Sequence, residues 1–129
     1  MTIDSYFSRT EQIIADFDIV VRQKSEKIKT DDNFGVFKGS LYFEYGRLEF
    51  IEVIKIVSNI PIKTKYKYHY LADNNVMIFR YDNVKHHPQV VTYPHHKHIP
   101  DEIIPCDEPN FLVILTEIKE HQKPDKKYN

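Results

Sequence analysis

The chain has 129 residues, 41% of them hydrophobic and 29% charged, with a formal net charge of −1. That length predicts one domain over residues 1–129 with a core of its own, and the near-zero charge excludes a global pull toward nucleic acid or anionic lipid, so any such attraction must come from a local patch. Three glycines without a Gly-rich loop exclude a phosphate-cradling motif, no apolar run approaches the roughly 20 residues that span a bilayer, and the single Cys106 excludes an internal disulfide.

In chain order, residues 4–15 read as a helix capped by Asp4 or Ser5, with Tyr6, Ile13, Ile14 and Phe17 as its apolar stripe. The opening MTIDSYFSRTEQ has neither the basic nor the apolar region of a signal peptide, which with the lone thiol predicts a cytoplasmic protein. Ile19 to Lys29 reads as an edge strand whose lysines discourage further pairing, and Thr30 to Asn33 as a turn. Phe37–Tyr45 and Leu48–Val57, rich in β-branched and aromatic residues and separated by Gly46-Arg47, read as a hairpin. On its second strand Glu52 shares a face with Leu48, Phe50, Ile54 and Ile56, where desolvation raises a carboxylate's pKa. It makes a strand-end salt bridge, lies on the outer face with Ile51, Val53 and Val57 on the true core face, or belongs to a functional site. Ser58 to Ile62, with Pro61, reads as a break.

The second hairpin joins Thr64–Leu71 to Val76–Tyr81 through a turn containing Asn74-Asn75, residues that tolerate positive φ. That register sets Tyr70 opposite Phe79, Tyr68 opposite Tyr81, His69 opposite Arg80 and Lys67 opposite Asp82. Alternation then gives an aromatic face of Tyr66, Tyr68, Tyr70, Met77, Phe79 and Tyr81, and a polar, basic face of Lys65, Lys67, His69, Arg80 and Asp82. Residues 84–106 carry four prolines and read as a long extended loop. Asp107 reads as the cap of a C-terminal helix over Phe111–His121, with proline in its first turn; a buried strand over Phe111–Ile118 is the alternative. Cys106, between Pro105 and Asp107, is a poor nucleophile because a neighbouring carboxylate raises a thiol's pKa.

The densest chemistry lies in Arg80 to His98, RYDNVKHHPQVVTYPHHKH, where five of the seven histidines fall between His86 and His98. Three uses fit such a cluster. Imidazoles bind zinc, copper, nickel or iron, with His96, His98 and either His86 or His87 as the candidate ligands, although HExxH and cysteine ligands are absent. Alternatively the histidines cleave RNA without a metal. A side chain with a pKa near 6.5 offers both proton-transfer forms at neutral pH, and cations stabilise the charge building on the phosphate. Arg80, Lys97, His96, His98, and His69 or Glu52 fill that cast, with Tyr93 available to stack on a base. In the third use the histidines knit the loop to the sheet, the expected role for His86, His87 or His95 taken singly.

The runs KYKYHY, LADNNVMIFRYDN, HHP and TYPHHKH together resemble the TumE-like family, toxins of toxin–antitoxin pairs. That family carries a YxYHY strand, a short turn, and an RYDN-A-PHH-P…TFPHHKH signature. Tyr66 to Tyr70, Arg80 to Asn83, His86-His87-Pro88 and Pro94 to His98 match it, and LEFIEV with Glu52 is similar to the family's L-x-F-x-E. The match covers residues 34–100; Val84-Lys85 stands where the family has Ala-Pro, and Tyr93 where Phe is common. The resemblance implies a toxin held inactive by a cognate antitoxin, often a DNA-binding protein encoded alongside.

These expectations combine into an α+β domain with an N-terminal helix, a mainly antiparallel sheet of about five strands, a long His/Pro-rich loop and a C-terminal helix. The expected activity, read from the residue chemistry, is metal-independent endoribonuclease action on RNA, with no cofactor and no membrane partner. His96 and His98 are acid and base, Arg80 and Lys97 stabilise phosphate, Asp82 orients a histidine and Glu52 is an outside candidate for the base. Lys65, Lys67, His69, Tyr93, His86 and His87 bind substrate. The alternatives are a metal-dependent hydrolase or nuclease and a non-enzymatic binding toxin.

Overall fold

A computed structural model of the chain describes residues 1–85 and 90–122. Helix α1 (Ile3–Ala15) is followed by strands β1 (Arg22–Asp31), β2 (Phe34–Tyr42), β3 (Arg47–Val57), β4 (Ile60–Leu71), β5 (Met77–Asp82), β6 (His96–Ile99) and β7 (Glu102–Pro105), and then by helix α2 (Phe111–His121). Each strand pairs antiparallel with the next, so the seven lie in one sheet in sequence order. Short links account for the neighbours within β1 to β5 and for β6 beside β7, since a hairpin turn brings consecutive strands side by side; β5 and β6 are joined by the longer stretch 83–95.

Among the described residues the sheet has seven strands rather than about five, because part of the stretch read as loop folds into β6 and β7. Its prolines allow this. Pro94 precedes β6, Pro100 sits in the turn and Pro105 ends the edge strand β7, places where a missing N–H costs no interior ladder bond. Val90 to His95 turn back toward the sheet, with a cis Tyr93–Pro94 bond; His86 and His87 lie outside the described residues.

Other boundaries move for local reasons. Thr2, not Asp4 or Ser5, caps α1, in a reciprocal capping box with Ser5. Asn110, not Asp107, caps α2 by accepting from the Val113 amide at 2.9 Å, which leaves Pro109 just outside the helix. FLVILTEI is helical, with Phe111, Ile114, Leu115 and Ile118 buried at the spacing of one helix face. Ser58 and Asn59 both take positive φ, 50° and 65°, so the expected break is instead a tight turn from β3 into β4, and Pro61 lies within a strand.

Both helices cover one face of the sheet. Phe37 on β2 packs against Phe7 of α1 and Phe111 of α2, with ring centroids 6.1 and 6.0 Å away. Tyr66, Tyr68 and Tyr70 line the same layer and are fully buried. Their hydroxyls reach His95, Glu52 and the Tyr45 carbonyl respectively, which satisfies a polar group that burial would otherwise leave stranded. Among the described residues no helix covers the opposite, open face, and that is where the polar alternation of β3 to β6 points.

Candidate functional site

Register builds two cross-strand rows on the open face. One runs Glu49, His69, Arg80, His98 across β3, β4, β5 and β6; the next runs Ile51, Lys67, Asp82, His96. The four hairpin pairs read from the sequence are observed, His69 opposite Arg80 and Lys67 opposite Asp82 among them, while nearer the turn a register shift between Tyr70 and Leu71 sets Leu71 opposite Met77. The β5–β6 pairing, Arg80 with His98 and Asp82 with His96, then brings the histidine stretch onto the same surface. Residues two apart in β6 point the same way, so His96 and His98 join the cluster together and Lys97 leaves it.

Asp82 is the hub. One carboxylate oxygen is 2.7 Å from His96 Nε2, and the other accepts from Arg80 Nε at 3.0 Å. The first also receives the Val84 amide at 3.1 Å. Asp82 and His96 are 3% and 2% exposed, so this end of the cluster is dry, whereas Arg80 and His98 are partly open to solvent. The His96 ring stands between two acceptors, with Nδ1 2.9 Å from the Pro94 carbonyl and Nε2 on the carboxylate. His98 differs: its Nε2 lies 3.1 Å from Arg80 Nη2, and since a guanidinium only donates, that nitrogen accepts. The two rings meet edge to face, 4.9 Å apart. His69, on the other side of Arg80, is held below the ordinary histidine range by partial burial and by the charges of Arg80, Lys67 and Arg47.

The Asp82, His96 and His98 ligand atoms lie within 4.8 Å of one another, so these three could hold a metal ion. Two histidines and a carboxylate are a recognised transition-metal set. The Arg80 guanidinium, however, bridges Asp82 and His98 itself, through Nε on one and Nη2 beside the other.

Two other expected site residues face the helices. Lys97 Nζ bonds Glu117 of α2 at 2.8 Å and lies 4.9 Å above the Tyr81 ring. Glu52 is 1% exposed and accepts from Tyr6 at 2.8 Å and from Tyr68. Lys63 Nζ lies 3.8 Å from Glu52, and also donates to Tyr68 and to the Pro109 carbonyl. Burial pushes the Glu52 carboxyl up while Lys63 opposes it, and burial pushes the Lys63 ammonium down while Glu52 opposes it. The network ties α1, the sheet and the entry to α2 together.

Sequence periodicity missed Lys63, because simple alternation from Tyr66 would place it on the open face. A register shift leaves Thr64 unpaired, between Val53–Lys65 and Ile54–Lys63, and turns Lys63 to the helix side. Pro61 just upstream was the available signal, since proline within a strand often marks a bulge.

Lys65 and Lys67 are exposed on the open face, and Tyr93 is exposed in the turn before β6. His95 instead stacks on Tyr66, with Nδ1 2.8 Å from its hydroxyl. Burial, then Asp107, pushes the Cys106 thiol up to about 11, in keeping with an unreactive sulfur.

Among the described residues no helix is long and apolar enough to cross a membrane. No curated protein and no solved structure matches the chain. A family model described as Toxin TumE matches residues 10–122. With most of its length under that match, the chain belongs to the TumE toxin family.

Proposed function

We propose that this protein is the toxin of a toxin–antitoxin module and acts in the cytoplasm as a metal-independent endoribonuclease, with its site on the open sheet face. Membership of a toxin family implies a cognate antitoxin; the RNA chemistry is inferred from the residues. The observation that carries it is the row His69–Arg80–His98, a guanidinium flanked by two imidazoles with the Asp82 carboxylate behind it. Arg80 holds the scissile phosphate in bidentate fashion. One flanking histidine takes the 2′-hydroxyl proton as that oxygen bonds to phosphorus, and the other protonates the departing 5′-oxygen. His69, biased toward the neutral form, suits the first role. His98 takes the second, receiving a proton once Arg80 turns to the phosphate. Each such group contributes about 10²–10⁴ in rate.

The remaining roles follow from position. His96 is too buried to touch RNA, so it acts by holding Asp82 and through it Arg80. Lys67 and Lys65 supply positive charge beside the site, and Tyr93 a ring for a base. Lys97 and Glu52, facing the helices, serve the fold.

The test is to express wild type and His98→Gln in a host and examine recovered RNA. Cleaved RNA with wild type and intact RNA with a folded, harmless variant is the expected result. Intact RNA in growth-arrested wild-type cells would sink the nuclease and favour a toxin that acts by binding. A metal-dependent nuclease is the second reading, supported by the proximity of Asp82, His96 and His98. The bridging Arg80 counts against it, because a guanidinium in that space repels a divalent cation. Stoichiometric zinc, manganese or nickel in protein purified without a nickel column would reverse the choice.

A further inference from the structure

The open face continues past the cluster into a groove of about 680 Å³ walled by β1, β2 and β3 and reaching Lys67. We infer that this groove holds the single-stranded RNA flanking the scissile phosphate, with Lys24 and Lys67 on phosphates at its two sides; the assignment rests on the nuclease proposed above.

The groove's shape comes from backbone packing. At Gly39, φ is +156° and a Cβ would stand 2.4 Å from the Lys24 carbonyl oxygen, so β1 and β2 approach more closely than a side chain permits. The floor is mixed, with Ile51, Ser40 and the Tyr42 ring, a surface on which a base can lie flat. Tyr42 already carries the Arg22 guanidinium, 4.1 Å above its ring.

Charge decides which ligand fits. Five ionic side chains line the groove: Lys24, Lys38, Lys67, Glu26 and Glu49. Lys38 lies 3.9 Å from Glu26, and Glu49 is matched by Arg47 at 3.0 Å and by the Ser40 hydroxyl at 2.5 Å. Lys24 and Lys67 make no ion pair among the described residues, and both are exposed. Asp82, directly across from Lys67, is taken by Arg80 and His96. Two ammonium groups without an ion pair among the described residues therefore border a groove with an aromatic ring in its floor, and the groove adjoins the row proposed above to hold a phosphate. A chain of phosphates with bases attached matches that order better than a lone anion, which would use one lysine and leave the floor bare.

The probe is a fluorescent twelve-nucleotide uridine RNA carrying 2′-O-methyl groups, which cannot attack its own phosphates. Binding is followed across 50–200 mM salt for wild type, Lys24→Glu, Lys67→Glu, the double variant and His98→Gln. We expect each reversal to weaken binding several-fold and the double variant by tenfold or more. The slope of log affinity against log salt should fall by about 0.7 for each lost phosphate contact. His98→Gln should bind like wild type while failing to cleave an unmodified RNA. Equal binding by wild type and the double variant overturns the groove and leaves the nuclease standing. Failure of wild type to bind or cleave any RNA overturns the nuclease and the groove with it. A double variant that binds RNA normally but escapes neutralisation by the antitoxin also overturns it, assigning the groove to a protein partner.

Discussion

The carboxylate of Asp82 and the imidazole of His96 meet at 2.7 Å with almost no exposure to water, and the same carboxylate holds the more exposed Arg80 in place. A charge-assisted bond in so dry a setting contributes more than its surface counterpart, about 1.5–3 kcal/mol. Asp82→Asn is therefore expected to lower stability by about that amount in urea denaturation. It should also reduce RNA cleavage by two orders of magnitude or more, by releasing Arg80. Unchanged cleavage by a folded variant would remove Asp82 from the site.

Arg80 separates the two forms of catalysis available here. Cleavage by wild type should persist in EDTA, since the guanidinium bridges Asp82 and His98. Arg80→Lys keeps the charge but not the planar fork, and activity should fall by about 10²-fold. Zinc titration of Arg80→Ala should show tighter binding than wild type, because Asp82, His96 and His98 would then face one another without a cation between them. Activity lost in EDTA and restored by added metal would contradict this.

The Glu52–Lys63 pair makes a prediction about stability alone. Both are buried, and removing one partner strands the other, which typically costs about 3–5 kcal/mol. Lys63→Met should be destabilised by that amount, measured by chemical denaturation. Combining it with Glu52→Gln should recover much of the loss, because no ion is then left unpaired. Simple addition of the two single costs would show that the pair is not coupled.

Acid stability should carry a signature of His69. Its pKa is lowered in the folded state, so the unfolded chain binds the proton first. Stability from this group is complete above the ordinary histidine value of 6.5 and is lost as pH falls through the lowered folded value. His69→Gln should flatten the denaturation midpoint below about pH 6.5. An identical acid limb in wild type and variant would exclude the effect.

Capping chemistry gives a local check. Asn110→Ala should cost about 1 kcal/mol and Asn110→Gly less, since the Asn110 side chain accepts from the Val113 amide at the start of α2. Asp107→Ala should be nearly neutral, because Asn110 and not Asp107 is the cap.

The sequence by itself determined the β4–β5 pairs from Lys67–Asp82 to Tyr70–Phe79, because a period of two fixed the faces, but not the bulge next to the turn, where Leu71 pairs with Met77 and only Asn75 takes positive φ. It also determined two helices at the ends and the family signature. It placed Arg80, Asp82, His69 and Lys67 on one face for the same reason. What only the tertiary structure decided depends on contacts distant in the chain. Pairing of β6 with β5 made His96 and His98 neighbours of Asp82 and Arg80, and sent Lys97, one residue between them, to the helix side. No local pattern encodes that pairing, since prolines at strand ends look like loop prolines. The bulge at Thr64 turned Lys63 inward to Glu52, giving a carboxylate that was ambiguous in the sequence a buried partner. Periodicity holds only while register holds; a one-residue slip or an unforeseen strand reassigns every side chain beyond it, and only the assembled sheet shows where that happens.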